Sequence, residues 1–149
     1  RNSYNIKKLF INKITNNNRP NFFFDINYYN LKNKKQLLKN IKKNFNKMNK
    51  KINLAFLGVG DDGHIASLFK NKNKIYLRSE PFILSKNNFE EFYRLSFSFN
   101  YLKKIKNIVF VLIGNKKNIL LNKVNKNENT TVFSEFLSKT NSSVKIFYV

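Results

Sequence analysis

The stretch Ile52-Asn-Leu-Ala-Phe-Leu-Gly58-Val-Gly60-Asp61-Asp62-Gly63-His64-Ile-Ala-Ser-Leu-Phe69 decides how this chain folds. Ile52 to Leu57 is a short apolar run halted by a glycine, the pattern of a parallel strand buried on both faces. A glycine-rich loop follows, and Ile65 to Phe69 can begin a short helix. A second continuous run, Ile108 to Ile113, also halts at a glycine, Gly114, and Asn115 to Val124 then has helical spacing. Working outward, helical periodicity predicts helices over Tyr4 to Ile14, Leu31 to Lys50 and Val132 to Lys139. The second of these is strongly basic and amphipathic. Tyr76 to Leu84, Phe92 to Phe99 and Val144 to Val149 carry strand residues. Asn16 to Pro20, Asn71 to Lys74 and Asn125 to Thr131 read as turns and loops, and the aromatic stretch Asn21 to Tyr29 is ambiguous. No repeat and no Ser/Gly/Pro-rich linker divides the chain, so residues 1–149 read as a single α/β layered domain with a mainly parallel sheet.

Composition agrees with a globular domain. The chain has 149 residues, 42% of them hydrophobic, with sixteen Phe, which is enough to bury a core and excludes a fully disordered chain. The absence of cysteine excludes disulfide frameworks and thiolate chemistry and suits a reducing compartment, the cytoplasm being the expected location. The longest apolar run falls far short of the roughly 20 residues that span a bilayer. The first residue is Arg1, so the sequence is expected to be a piece of a longer product.

Twenty-nine Lys and Arg against eight Asp and Glu give a formal charge of +21. Two readings of this charge stand side by side. One is a nucleic-acid surface. The other is drift toward Lys and Asn in tolerant surface positions, favoured here because only Arg1, Arg19, Arg78 and Arg94 are arginines and the lysines are scattered among asparagines. Either way the field attracts anionic small molecules.

The scarce residues are concentrated in one place. All four glycines follow the two apolar runs, and the single histidine, His64, sits in the first glycine loop behind Asp61 and Asp62. In open α/β sheets such loops lie at the carboxyl ends of strands, where ligands bind. An imidazole with its ordinary pKa of about 6.5 can exchange a proton near neutrality, and Asp62 is placed to orient it. A catalytic His64 and a merely structural one both remain open on local grounds. Ser67 and Ser3 offer hydroxyls, but no G-x-S-x-G elbow surrounds either. Gly58-Val-Gly60-Asp-Asp-Gly63 spells G-x-G-x-x-G, yet two acids would face a dinucleotide's pyrophosphate. One histidine and two adjacent acids make a thin metal-ligand set, so no metal site is assigned.

Leu57 to Phe69 resembles the signature of 6-phosphogluconolactonases, L-G-x-G-x-D-G-H-x-A-S-L-F-P, departing at the terminal proline, which is Lys70 here. Weaker similarities follow in order. Arg94-Leu-Ser-Phe-Ser is similar to the family's R-[IV]-T-L-T strand, and Ile108 to Gly114 with Lys117 to its apolar strand and G-x-x-K. Val132 to Val149 is similar to its closing helix and strand, and Asn2-Ser-Tyr4 to its Ser-Asn-Tyr helix start. The resemblance implies a three-layer α/β/α domain related to glucosamine-6-phosphate deaminase and ribose-5-phosphate isomerase. It also implies hydrolysis of 6-phospho-D-glucono-1,5-lactone to 6-phosphogluconate in the oxidative pentose phosphate pathway, with neither metal nor organic cofactor. Carried onto this chain, His64 would be the acid/base and Asp62 its orienting partner. Gly58, Gly60 and Gly63 would belong to the substrate- and phosphate-binding set, and N–H groups around residues 60–64 would face the developing oxyanion. Lys117 and Arg94 would hold the phosphate or shape its pocket, Arg94 being equally suited to pair with Glu90 or Glu91. The resemblance covers the C-terminal part of the domain, so the family's N-terminal strand, phosphate loop and Asp-Glu-Arg motif are expected before Arg1. Fusion to glucose-6-phosphate dehydrogenase is known in such relatives. The alternatives are a sugar-phosphate deaminase or isomerase of the same fold, although those continue Phe-Asn-Glu where this chain has Ser67-Leu68-Phe69, and an inactive basic fragment binding nucleic acid.

Overall fold

The computed structural model describes residues 2–14, 33–47, 51–70, 74–87 and 93–149. The chain divides into two compact units, Arg1–Asn33 and Lys34–Val149. In the first, helix α1 (Asn2–Leu9) runs into a 3-10 turn at Ile11–Lys13, within the helical segment predicted from the sequence. The expected turn at Asn16 to Pro20 and the aromatic stretch after it lie outside the described residues.

The second unit begins with α2 (Lys34–Lys47) and contains strands β1 (Leu54–Gly58), β2 (Phe82–Ser85), β3 (Arg94–Phe97), β4 (Asn107–Leu112) and β5 (Ser143–Tyr148). It also contains helices α3 (Phe99–Leu102), α4 (Lys117–Asn125) and α5 (Val132–Lys139). Strands β1, β4 and β5 form a parallel sheet in the order β1-β4-β5, with Leu57 opposite Phe110 and Phe110 opposite Ile146. Strands β2 and β3 form a separate antiparallel pair, Phe82 opposite Phe97 and Ser85 opposite Arg94. The α/β class with a mainly parallel sheet is therefore the observed one.

The core lies against one face of the parallel sheet. Ile108, Phe110 and Leu112 alternate along β4 and are fully buried. Phe133 and Phe136 of α5 meet Phe110 edge-on, with ring centroids 5.0 and 5.9 Å away, and Phe99 meets Phe136 at 5.2 Å. Burying each such side chain stabilises the fold by about 1.5–3 kcal/mol. Helix α2 is fastened to the antiparallel pair by buried Ile41 and by Phe45, whose ring packs edge-on against Phe82 at 5.1 Å and Phe97 at 5.5 Å. Helix α5 begins in a capping box: Thr131 Oγ1 accepts from the Ser134 N–H at 3.1 Å, and Ser134 Oγ accepts from the Thr131 N–H at 3.1 Å.

Four expectations are corrected. Strand β1 is not buried on both faces: Leu54 and Phe56 point outward at 49% and 69% exposure, while Ala55 and Leu57 face the core. Of Tyr76 to Leu84, the first part is a 3-10 turn (Ile75–Leu77), and pairing starts only beyond Pro81, whose missing N–H cannot join a ladder. The run from Phe92 ends as a strand at Phe97, because Ser98 caps α3, accepting from the Tyr101 N–H at 3.2 Å. Ile65 to Phe69 forms no helix. It folds as two short bridges, Val59 to Ile65 and Ile65 to Leu68, with Ala66 in the left-handed region at φ 52°. Among the described residues, no helix is long and apolar enough to cross a membrane.

Candidate active site

The loop leaving β1 is wound tightly on itself. Gly63 N–H donates to the Gly60 carbonyl at 3.0 Å, and Gly60 N–H donates to the His64 carbonyl at 2.9 Å, closing a turn around residues 60–64. Gly63 holds φ +75°, and a Cβ there would lie 2.5 Å from Thr131 Cβ, so both backbone and space require glycine. Phe133 N–H, in the first turn of α5, donates to the Gly63 carbonyl at 2.9 Å and seats the loop on that helix.

Within this turn the Asp62 carboxylate accepts two hydrogen bonds at one oxygen, from His64 N–H at 3.1 Å and from the imidazole Nδ1 at 2.6 Å. That fixes the tautomer: Nδ1 carries the proton toward Asp62, leaving Nε2 as the nitrogen that can accept one. Nε2 bonds to none of the described residues. The ring rests on Phe69, centroids 4.6 Å apart, and is about a quarter exposed. Burial pushes the Asp62 carboxyl up, but the hydrogen bonds from the His64 ring and backbone outweigh it and hold the carboxyl below its ordinary value. Gly60 makes the arrangement possible, since a Cβ at that position would fall 2.1 Å from His64 Nδ1 and 2.8 Å from Asp62 Oδ1.

The neighbouring acid, Asp61, turns to a different base. Its carboxylate accepts from Lys117 Nζ at the start of α4, and that ion pair holds the Asp61 carboxyl below its ordinary value. Lys117 is buried although Asp61 is exposed. The two acids thus diverge, one to the imidazole and one to the ammonium. They meet because β1 and β4 are adjacent and parallel, which sets the loops leaving both strands side by side. Among the described residues, no group of three or more His, Asp or Glu side chains converges as metal ligands would.

The glucosamine-6-phosphate isomerase/6-phosphogluconolactonase family model matches residues 1–144. The chain belongs to that family. It is 37% identical over 79 residues to a probable 6-phosphogluconolactonase of Dictyostelium discoideum, the match covering 52% of this chain and 34% of that protein. The fold is similar to that of the 6-phosphogluconolactonase of Thermotoga maritima (TM-score 0.64, 18% identity, 76% of this chain and 50% of that one). It is also similar to that of the Trypanosoma brucei enzyme (TM-score 0.62, 14% identity, 76% and 50%). The chain therefore spans half the length, or less, of these relatives.

Within this family member, the sequence-predicted residues fall into four groups. His64, Asp62, Gly60 and Gly63 form one knot. Lys117 lies beside it but is engaged by Asp61, a pairing across 56 positions that the sequence reading missed; the Asp61-Asp62 doublet facing a G-x-x-K loop was the available signal. Arg94, at the start of β3, has its guanidinium carbon 5.8 Å from the centre of the Phe69 ring, on which His64 also packs. Its alternative partners Glu90 and Glu91 lie outside the described residues. Gly58 answers to no steric demand, since nothing lies within 4 Å of where its Cβ would be. The expectation that N–H groups of residues 60–64 face an oxyanion is corrected for three of them: those of Gly60, Gly63 and His64 already bond within the loop. Ser67 is likewise occupied through its backbone, its N–H donating to Ser96 Oγ at 3.2 Å and its carbonyl accepting from Ser85 Oγ. Lys70, where the family pattern has proline, donates from Nζ to the Asn129 carbonyl at 2.9 Å and ties the end of this loop to the segment before α5.

Proposed function

We propose that the chain carries the catalytic imidazole of a 6-phosphogluconolactonase, hydrolysing 6-phospho-D-glucono-1,5-lactone to 6-phosphogluconate. The observation that carries this reading is the 2.6 Å contact of His64 Nδ1 with Asp62, in a turn that Gly60 and Gly63 alone permit, within a chain of this family. With Nδ1 committed, Nε2 takes a proton from water as the water oxygen adds to the lactone carbonyl. The tetrahedral adduct then collapses, the bond from the carbonyl carbon to the ring oxygen breaks, and Nε2–H returns the proton to that oxygen. Asp62 steadies the imidazolium formed in between. Lys117 and Arg94 are the cations offered to the substrate phosphate, which would compete with Asp61 for the Lys117 ammonium. No organic cofactor is invoked.

The family match over residues 1–144 supports reading residues 1–149 as one such domain. Membership of the pentose phosphate pathway and a cytoplasmic location follow from the same reading, and a parent fused to glucose-6-phosphate dehydrogenase, whose product is the substrate, is compatible with it. Purified full-length protein is tested for loss of freshly made δ-lactone above the spontaneous rate. His64→Ala should return the rate to background, and Asp62→Asn should lower it by about 10²–10⁴-fold. Ammonia release from glucosamine 6-phosphate, with the lactone untouched, would instead favour the deaminase branch of the family.

A further inference from the structure

A second site, separate from the His64 loop, lies between α2 and the β2–β3 pair. It is a groove of about 630 Å³, inside the range of pockets that hold cofactor-sized ligands. Lys34, Lys35, Lys39 and Lys42 line it along one face of α2, at i, i+1, i+5 and i+8, and Arg78 lines it from the opposite wall; among the described residues, Glu80 is the one acid in the lining. Five of the twelve lining residues among those described are therefore cationic, against 29 of 149 in the whole chain, about twice the background share. The remaining lining is apolar or aromatic, including Leu38, Phe82 and Tyr93. Lys34 Nζ sits 3.6 Å from the centre of the Tyr93 ring.

The walls are already in place. Phe45 pins α2 to Phe82 and Phe97, and Asn100 Nδ2 donates to the Leu77 carbonyl at 2.6 Å, holding the segment that carries Arg78. Lys35, Lys39, Lys42 and Arg78 form no ion pair with any described residue. Several cations around one cavity call for a ligand with several negative charges, which excludes a simple carboxylate. An apolar floor with an aromatic ring calls for a flat, poorly hydrated portion on that same ligand.

We propose that this groove binds a nucleoside polyphosphate, its phosphates among the α2 lysines and Arg78 and its base against the floor that includes Tyr93. The test is binding of a fluorescent ATP derivative to the full chain, with ATP, adenosine, inorganic triphosphate and a short oligothymidylate as competitors. ATP should compete at least about tenfold better than adenosine or triphosphate alone. Lys35→Glu combined with Lys39→Glu should weaken binding about tenfold or more, whereas Lys43→Glu with Lys47→Glu, on the same helix but outside the groove, should leave it within about twofold. Tyr93→Leu should weaken ATP but not triphosphate. Four results would overturn the proposal: no saturation by about 1 mM ligand, triphosphate matching ATP, the oligonucleotide outcompeting ATP strand for strand, or both double variants weakening binding alike.

Discussion

Gly60→Ala isolates the role of the imidazole seat better than replacing the histidine. Gly60 does not occupy the left-handed region, so alanine imposes no backbone strain there, and the whole effect comes from one methyl group. That methyl would lie 2.1 Å from His64 Nδ1 and 2.2 Å from Cε1, well inside contact distance, so the ring has to leave Asp62. Losing a hydrogen bond to a buried charged group costs about 1.5–3 kcal/mol, and the 57% exposure of Asp62 brings this one down to about 1 kcal/mol or less. Activity should suffer more than stability, because an undirected imidazole forfeits much of the 10²–10⁴-fold typical of positioned acid/base catalysis. Gly58→Ala is the matched control, with nothing within 4 Å of the added methyl. His64 is the chain's single histidine, so its ring gives one set of imidazole ¹⁵N signals without assignment work. Gly60→Ala should shift the Nδ1 signal away from its hydrogen-bonded position and abolish lactone turnover, while Gly58→Ala should leave both nearly unchanged. If Gly60→Ala kept the wild-type Nδ1 signal and rate, the geometry assigned to the loop would be wrong.

Gly63→Ala meets both a positive φ and Thr131 at 2.5 Å, and should lower stability by about 2 kcal/mol or more in chemical denaturation, with Gly60→Ala well below that. Thr131→Ala removes the cap of α5 and should cost about 1 kcal/mol; because Phe133 N–H also holds Gly63, faster hydrogen exchange at the Phe133 amide should accompany it. Tyr76 donates to Glu135 at 2.9 Å, and burial together with that carboxylate pushes its phenol up to about 12. Folding therefore favours the protonated phenol, so this contribution is intact below the free phenol's pKa of about 10 and is lost as pH rises from there toward 12. Tyr76→Phe should accordingly cost about 1 kcal/mol in melts at pH 8 and progressively less above pH 10; a constant difference across that range would refute the assignment.

The sequence announced the parallel strands because continuous apolar runs stopped by glycine have few other uses, and it announced the His64–Asp62 pair because both partners lie within two residues. It was less informative wherever tertiary partners decide. The segment Ile65 to Phe69 has residues fit for a helix, but it turns back on itself, Leu68 N–H donating to the Ile65 carbonyl at 2.8 Å with Ala66 at a positive φ. The Asp61–Lys117 pair depends on β1 and β4 being neighbours, which local periodicity cannot reveal. The need for glycine at position 60 is set by a side chain four residues later, and its absence at position 58 by empty space. The groove on α2 was visible only as a basic helix face; what made it a cavity was the antiparallel pair opposite.

The outward side of the parallel sheet bears on how the protein behaves in solution. Leu54, Phe56 and Phe147 leave it greasy, with Phe56 forgoing most of the 1.5–3 kcal/mol its enclosure would yield. Surfaces of this kind adhere to one another. What opposes that adhesion is mutual repulsion between molecules each carrying +21, and the reach of that repulsion shrinks from about 10 Å at 0.1 M salt to about 3 Å at 1 M. Solubility should then fall as salt is added, the reverse of ordinary salting-in, and dilute buffer is the medium in which separate molecules persist.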